Sequence, residues 1–275
     1  MKYINKYEDS IEQLNFTRGL TGEEKYEALN EMIEDSKHIV FFGGAGVSTE
    51  SGIPDFRSKD GLYNQHDVQF EKYKPEYLLS RSCLYNNPKV FYEFYRQKMN
   101  ISGILPNITH IKLAEMEKLG KLDGVITQNI DGLHQAAGSK NVQEIHGTTL
   151  KNYCVKCGAE YPSDYIFKNT DAIPRCTNET KPGHICNCQI RPAVTLYEEN
   201  LPDKAWNNAN KLIESADMLI VGGTSLTVFP AAYLVPSFHG RYLVIISKDG
   251  TDYDKYADLA FNESIGHVFS KIKLD

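Results

Sequence analysis

The chain has 275 residues, 41% hydrophobic and 24% charged, the balance of an ordinary globular enzyme. Its formal net charge of −6 offers no basic field for a phosphate backbone, so nucleic acid is not expected as a direct partner. No apolar stretch approaches the roughly 20 residues that span a bilayer, and the opening MKYINKYEDSIEQLNF has neither the apolar centre nor the cleavage site of a secretory signal. These features predict a cytoplasmic protein with no membrane partner.

Ile4, Tyr7, Ile11 and Leu14 recur at helical spacing and predict an opening helix. Thr21 and Glu24 form a candidate capping box for a second helix, which carries Tyr26, Leu29, Met32 and Ile33 on one face. His38 to Phe42 is a short β-branched and aromatic run that predicts the first strand, ending at Gly43-Gly44. Residues 60–105, rich in Tyr, Asn and Pro, read as a helical insertion. Thr109 to Leu119 predicts a helix with Gly120 as its stop. Further strands are predicted at 124–127, 218–221 and 242–246. All are apolar on both faces, as in a parallel sheet covered by helices on either side. Strands alternating with helices predict an α/β, doubly wound, Rossmann-like fold.

Five of the six cysteines, Cys154, Cys157, Cys176, Cys186 and Cys188, crowd into residues 149–190. In a reducing compartment such clustering points to metal rather than to disulfides. That stretch holds little apolar material for a core of its own, and a metal would staple it. The expected organisation is therefore a nucleotide-binding domain over residues 1–148 and 191–275, interrupted by a small metal module over 149–190. Cys83 stands apart and is expected to be a buried small hydrophobe.

Phe41 opens the string FFGGAGVSTESGIPDFR directly after the first strand. Gly44 and Gly46, with Ala45 between them, allow a sharp turn close to a ligand, and Ser48 and Thr49 sit where a helix should begin and face a pyrophosphate. Alone, the same pattern also suits a tight turn with no ligand. Thr49 stands where a Rossmann fingerprint would place glycine, which argues against a hydride-transferring dehydrogenase.

The longer string Ala45-Gly46-x-Ser48-x-x-Ser51-Gly52-Ile53-Pro54-Asp55-Phe56-Arg57 closely resembles the sirtuin signature. So do Thr127-Gln128-Asn129-Ile130-Asp131-x-Leu133-His134, Glu144-x-His146-Gly147 and Gly223-Thr224-Ser225-Leu226, in the family's order. The resemblance implies an enzyme that uses NAD as a cosubstrate to remove acyl groups from lysines of proteins or peptides. In that reaction the acyl-lysine amide oxygen attacks the nicotinamide ribose, nicotinamide leaves, and a deprotonated ribose hydroxyl then captures the imidate carbon.

The resemblance assigns His146 as the base for that capture and Asn129 as the amide that orients the ribose hydroxyl or a water. Asp131, with the backbone of Ile130, holds the nicotinamide carboxamide, and Gln128 contacts its ribose. Phe56 covers the place the nicotinamide leaves, and Asp55 and Arg57 belong to the same cofactor loop. Gly223, Thr224 and Ser225 cradle phosphate and ribose. Ser247 replaces the asparagine that sirtuins usually present to the adenosine ribose.

Cys154-x-x-Cys157 is half of a tetrahedral zinc site. The resemblance supplies Cys176 and Cys186 as the other half, although an inserted TNETKPGHI separates them. Cys188, and more weakly His184, remain as substitutes. The zinc is expected to be structural. The family's Phe-Gly-Glu substrate loop is here Tyr197-Glu198-Glu199. The Tyr-x-x-Arg of sirtuins that read acidic acyl groups is Tyr92-x-x-Tyr95, or Tyr95-x-x-Lys98, so acetyl and other neutral acyl groups are expected. Rival readings on the same fold are an ADP-ribosyltransferase and a non-catalytic NAD sensor or scaffold.

Overall fold

The computed structural model describes every residue except Met1, Asn5, Glu8, Asp9, His66 and Asp275. Helices α1 (Ser10–Arg18) and α2 (Glu23–Asp35) lead into strand β1 (Ile39–Gly43) and the one-turn α3 (Gly46–Thr49). There follow α4 (Pro75–Leu78), α5 (Arg81–Asn86), α6 (Pro88–Lys98), α7 (Ile108–Lys118), β2 (Leu122–Thr127) and α8 (Leu133–Ala137). Then come β3 (Val142–Glu144), β4 (Gly147–Cys154), β5 (Glu160–Pro162), α9 (Asp164–Lys168), β6 (Glu179–Lys181), β7 (His184–Ile185) and β8 (Ile190–Val194). The chain closes with α10 (Asp203–Ser215), β9 (Met218–Gly222), β10 (Tyr242–Ile246), β11 (Leu259–Phe261) and α11 (Ile265–Ser270).

Six strands form a parallel sheet in the order β11-β10-β9-β1-β2-β3. The order reverses between β1 and β9, which is where an open α/β sheet opens a ligand crevice beyond its carboxyl ends. Strand alternation splits the core in two. Ile39, Phe41, Met218 and Ile220 pack on one face with Leu29 and Met32 of α2, Leu113 and Met116 of α7 and Phe269 of α11. Val40, Phe42, Leu219 and Val221 pack on the other with Ala209 and Ile213 of α10 and with Ala231 and Leu234. Every residue of β1 and β9, the two strands flanking the crevice, is buried.

The opening of the chain differs from expectation. Tyr3 and Ile4 give their backbone N–H groups to the Glu31 carboxylate, at 2.8 and 3.1 Å, in place of a helical ladder. Ile4 and Tyr7 therefore precede the helix, which begins at Ser10, while Asn5, Glu8 and Asp9 within the expected span lie outside the described residues. Nor does the capping box form: Gly22, at φ 53°, caps α2, and the Glu24 N–H reaches the backbone carbonyl of Thr21. A true box opens α7, where Asn107 accepts from Thr109 and His110 Nδ1 accepts from the Asn107 N–H.

A second, three-stranded sheet, β5-β4-β8, runs antiparallel from Gly147 to Val194 and carries the cysteines at its far end. Its stretch has little apolar material of its own, as expected, and it shares a core with the helical insertion. Ile166 and Ile190 are buried together with Leu84, Phe91, Tyr92 and Tyr95. Arg96 of α6 donates to the carbonyls of Ile166 and Asp171 at 2.8 and 2.7 Å, tying the two parts together. Cys83 is fully buried in this shared core.

Candidate active site

The turns that follow β1 and β9 meet over the crevice. A Cβ on Gly46 would lie 2.8 Å from Gly223, and one on Gly44 would lie 2.8 Å from Thr224 Cβ. The Gly46 N–H donates to the Gly223 carbonyl at 2.8 Å. Both glycines thus permit two loops to touch, and the Gly46 N–H is not free for a ligand. The backbone N–H groups of Ala45, Thr224 and Ser225, in the same two turns, make no backbone hydrogen bond among the described residues. Thr49 lies on the exposed side of α3 and turns its hydroxyl back to the Gly46 carbonyl. Ser247 ends β10, with its hydroxyl 3.5 Å from the Gly250 carbonyl.

Beyond β2, Gln128, Asn129, Ile130 and Asp131 run across the mouth of the crevice. Gln128 Nε2 donates to Thr224 Oγ1 at 3.1 Å and joins this turn to the β9 turn. Ser48, fully buried on α3, is the hub of the group. Its Oγ donates to Asp131 Oδ2 at 2.7 Å and accepts from Asn129 Nδ2 at 2.9 Å. The other Asp131 oxygen accepts the Leu133 N–H at 2.9 Å and starts α8.

His146 sits between β3 and β4, and its Nδ1 lies 3.0 Å from the Gln128 carbonyl. A carbonyl can only accept, so the neutral ring carries its proton on Nδ1 and leaves the Nε2 lone pair free. Burial pushes the His146 pKa below its ordinary value and the nearby Arg57 cation adds to this, against an opposing pull from the Gln128 carbonyl. The lowered pKa favours the neutral imidazole near neutral pH.

The loop after α3 brings Phe56 and Arg57 over the same space. Asp55 Oδ1 accepts the N–H groups of Arg57 and Ser58, and a Cβ on Gly61 would strike Asp55 and the Phe56–Arg57 backbone at under 3 Å. Asp55 thus shapes the loop from within. The segment after β8 faces it. Thr195 N–H donates to the His146 carbonyl at 2.8 Å, and Tyr197 pairs through its backbone with Leu79 and Arg81. Glu198, where the resemblance leads one to expect glycine, adopts φ 73°. Its carboxylate accepts the Ser82 N–H in the first turn of α5 at 2.9 Å, a contact that offsets the strain of the left-handed backbone. Glu199 makes a bidentate, largely buried pair with Arg191 at 2.5 and 2.8 Å.

The thiol sulfurs of Cys154, Cys157, Cys176 and Cys186 all lie within 4.8 Å of one another, with Cys154 to Cys186 and Cys157 to Cys176 both 3.6 Å. Sulfurs about 2.3 Å from a tetrahedral zinc would stand about 3.8 Å apart, so this set fits that ion. The insertion that obscured the spacing folds as the hairpin β6–β7, turning at Pro182-Gly183 and returning Cys186 to the side of Cys176. His184 points outward on β7. Cys188 lies outside the group of four, its carbonyl accepting the Cys176 N–H at 2.7 Å.

Tyr92 and Tyr95 turn into the shared core and not towards an acyl group. The Tyr92 hydroxyl bonds the Ile190 carbonyl and Gln189, and the Tyr95 ring stacks on Phe91 and Phe167. Lys98 is held by Asp67 at 3.4 Å and Gln65 at 3.0 Å. Two features went unread in the sequence. Ser48 was legible as a motif position but not as the hub. His110 and His134 form a buried pair, ring centroids 4.7 Å apart, behind Asp131; no local pattern announces two histidines that meet only in the fold.

The Sir2 family pattern matches residues 44–230. An NAD-dependent protein deacetylase of Clostridium acetobutylicum is 47% identical over 249 residues, covering 90% of this chain and 98% of its own. A solved Sir2 bound to a p53 peptide and NAD+ is 37% identical with a TM-score of 0.75, covering 89% of this chain and 95% of its own. Another Sir2 structure, holding a deacetylated p53 peptide and 3'-O-acetyl ADP ribose, is 36% identical with a TM-score of 0.78, covering 89% and 96%. By the family pattern over residues 44–230 and the 47% identity to a near-full-length relative, the chain belongs to the Sir2 family.

Proposed function

We propose that the chain uses NAD to remove acetyl and other neutral acyl groups from protein lysines, releasing nicotinamide and an O-acyl-ADP-ribose. The observation that carries the reading is the orientation of His146, whose half-buried ring is fixed by the Gln128 carbonyl with Nε2 free to take a proton. An amide oxygen is a weak nucleophile, so the first step rests on positioning and on stabilising the charge that develops at the ribose. Gly44, Ala45, Gly46 and Thr49 form the floor of the NAD site on the β1 side, with Gly223, Thr224 and Ser225 on the β9 side and Ser247 beyond them. Ile130 and Asp131 receive the nicotinamide carboxamide, Gln128 its ribose, and Ser48 keeps the Asp131 carboxylate and the Asn129 amide in register. Phe56, carried between Asp55 and Arg57, excludes water from the place nicotinamide vacates. His146 then takes the proton of a ribose hydroxyl that Asn129 orients, and the hydroxyl captures the acyl carbon.

Residues 1–148 and 191–275 form the NAD domain in this reading, and residues 149–190 a module held by zinc on Cys154, Cys157, Cys176 and Cys186. Four thiolates complete the shell, so the ion would stabilise the module and take no part in the chemistry. Reduced, metal-ready thiols suit the cytoplasm; among the described residues no helix is long and apolar enough to cross a membrane. Mass spectrometry of an acetyl-lysine peptide incubated with NAD tests the function. Nicotinamide, O-acetyl-ADP-ribose and free lysine should form in equal amounts, and release of acetate without NAD would refute it.

A further inference from the structure

Tyr197 stands between two segments that no strand joins. Its ring leaves the segment after β8 and its hydroxyl accepts from Arg57 Nη2 at 3.1 Å and from the Tyr63 hydroxyl at 3.1 Å. Arg57 and Tyr63 stand near the two ends of the loop that Phe56 opens, and Phe56 itself packs on Tyr63 with ring centroids 5.4 Å apart. The Tyr197 backbone is fixed on both sides, its N–H on the Leu79 carbonyl at 3.0 Å and its carbonyl on the Arg81 N–H at 3.1 Å. Two residues earlier the same segment donates to the backbone of His146. The Phe56 loop is otherwise seated by Leu62, which is buried in the shared core with Phe56 and Tyr63 packed against it, and by local hydrogen bonds. Asn64 Nδ2 bonds the carbonyls of Arg57 and Ser58, Asp55 bonds the next two N–H groups, and Leu62 and Tyr63 bond the carbonyls of Asp55 and Phe56. Those hydrogen bonds fix the loop's shape and Leu62 seats its base, while the Tyr197 hydroxyl ties its Arg57 and Tyr63 side chains to the segment after β8.

We propose that Tyr197 is a positioning residue for NAD: one phenolic oxygen, mounted on the backbone that also holds His146, docks the Phe56 loop by its two ends over the cofactor. The inference rests on the reading of Phe56 and Arg57 as the NAD-covering loop. Because the oxygen accepts twice, removing it releases both ends at once. The ring itself would remain, so the change is confined to loop position. The released arginine and tyrosine reach water easily, since the site is partly exposed, so little folding stability should be lost.

The test is Tyr197→Phe in the full chain. Its KM for NAD should rise about three- to tenfold, the range one or two net hydrogen bonds span, with kcat within about twofold of the parent. Amide hydrogen exchange of residues 56–64, measured without ligand, should quicken while the exchange of β1 and β9 stays unchanged. Tyr63→Phe combined with Tyr197→Phe should be no worse than Tyr197→Phe alone, because both remove the same docking. An unchanged KM for NAD, or unchanged exchange in 56–64, overturns the inference. Arg57→Ala separates it from the reading beneath it. If that variant also binds NAD normally, the loop's role as NAD cover is what has failed; if it loses NAD affinity while Tyr197→Phe does not, the docking by Tyr197 has failed.

Discussion

Ser48 Oγ donates to Asp131 at 2.7 Å while accepting from Asn129, so one hydroxyl on the β1 turn sets two side chains on the β2 turn. It is a direct hydrogen-bonded link between the glycine-rich segment and the Asn129 and Asp131 side chains. Ser48→Ala should leave the fold intact, since a methyl fits the same buried space, but it orphans the Asn129 amide and one carboxylate oxygen. Leaving such groups unpaired costs about 1–3 kcal/mol, so kcat/KM for NAD should fall roughly tenfold or more. Steady-state kinetics with a circular-dichroism control measures this, and unaltered kinetics would remove Ser48 from the site.

For His146 the expectation is a pH profile with a defined sign. Burial and the Arg57 cation hold its pKa below 6.5, and the reaction needs the neutral ring. Activity should therefore be flat across neutrality and fall only as pH drops below 6.5. Arg57→Ala removes a cation that disfavours protonation, so the acid limb should move upward towards 6.5. His146→Ala should cost about 100-fold or more in deacylation while NAD still binds. A limb that moves downward in Arg57→Ala would mean that the titrating group is not His146.

Much of this site was legible in sequence because its chemistry is local. Gln128 to Asp131 and Ser48 to Arg57 lie in two short runs, and the strands that carry them are continuous apolar blocks. What the sequence hid depends on contacts between distant segments. The fourth cysteine was obscured by nine inserted residues that turn out to be a hairpin, whose ends return to the same place. The opening helix failed because Glu31, from the next helix, captures the N–H groups of Tyr3 and Ile4. Tyr92 and Tyr95 align with the family's acyl-reading motif only by resemblance, and the packing of α6 on the cysteine-bearing sheet is what shows them turned inward.

The His110–His134 pair makes stability fall in acid. Burial pushes His134 down to about 3, with His110 adding to it; burial likewise lowers His110 to about 4, against the opposing pull of Asp131. Above pH 6.5 both states are neutral and no penalty arises. Below it the unfolded chain takes up protons the folded chain refuses, so stability declines. At pH 5 the gap from 6.5 is worth ~2 kcal/mol for each histidine kept neutral, so ~4 kcal/mol for the pair. Urea titrations at pH 7.5 and pH 5 should show a loss of about that size, and His134→Gln should shrink it. Equal stability at the two pH values would contradict the buried neutral pair.

Acyl preference follows from where the cations are. Lys98 is taken up by Asp67 and Gln65, Arg96 by two backbone carbonyls, and neither tyrosine of α6 faces outward. A succinyl carboxylate would then enter without a paired charge, which is costly. Acetyl peptide should be preferred over succinyl peptide by at least about tenfold in kcat/KM, roughly 1.4 kcal/mol. Comparable rates on both peptides would show that a cation does reach the acyl group.

The metal set is tested by comparing Cys186→Ser with Cys188→Ser. Cys186 lies within the group of four sulfurs and is brought there by the β6–β7 hairpin, whereas Cys188 contributes a backbone carbonyl to the Cys176 N–H. Since ordering this module depends on metal binding, loss of a ligand is loss of folding energy there. Purified protein should hold one zinc per chain by elemental analysis. Cys186→Ser should lose it and melt at lower temperature, and deacylation should fall because the cysteine-bearing sheet also presents the segment after β8. Cys188→Ser should keep both its zinc and its melting temperature, because its carbonyl contact belongs to the backbone and survives the substitution. Zinc lost from Cys188→Ser and retained in Cys186→Ser would exchange the two residues' roles, and zinc retained in both would mean that either thiol can complete the shell.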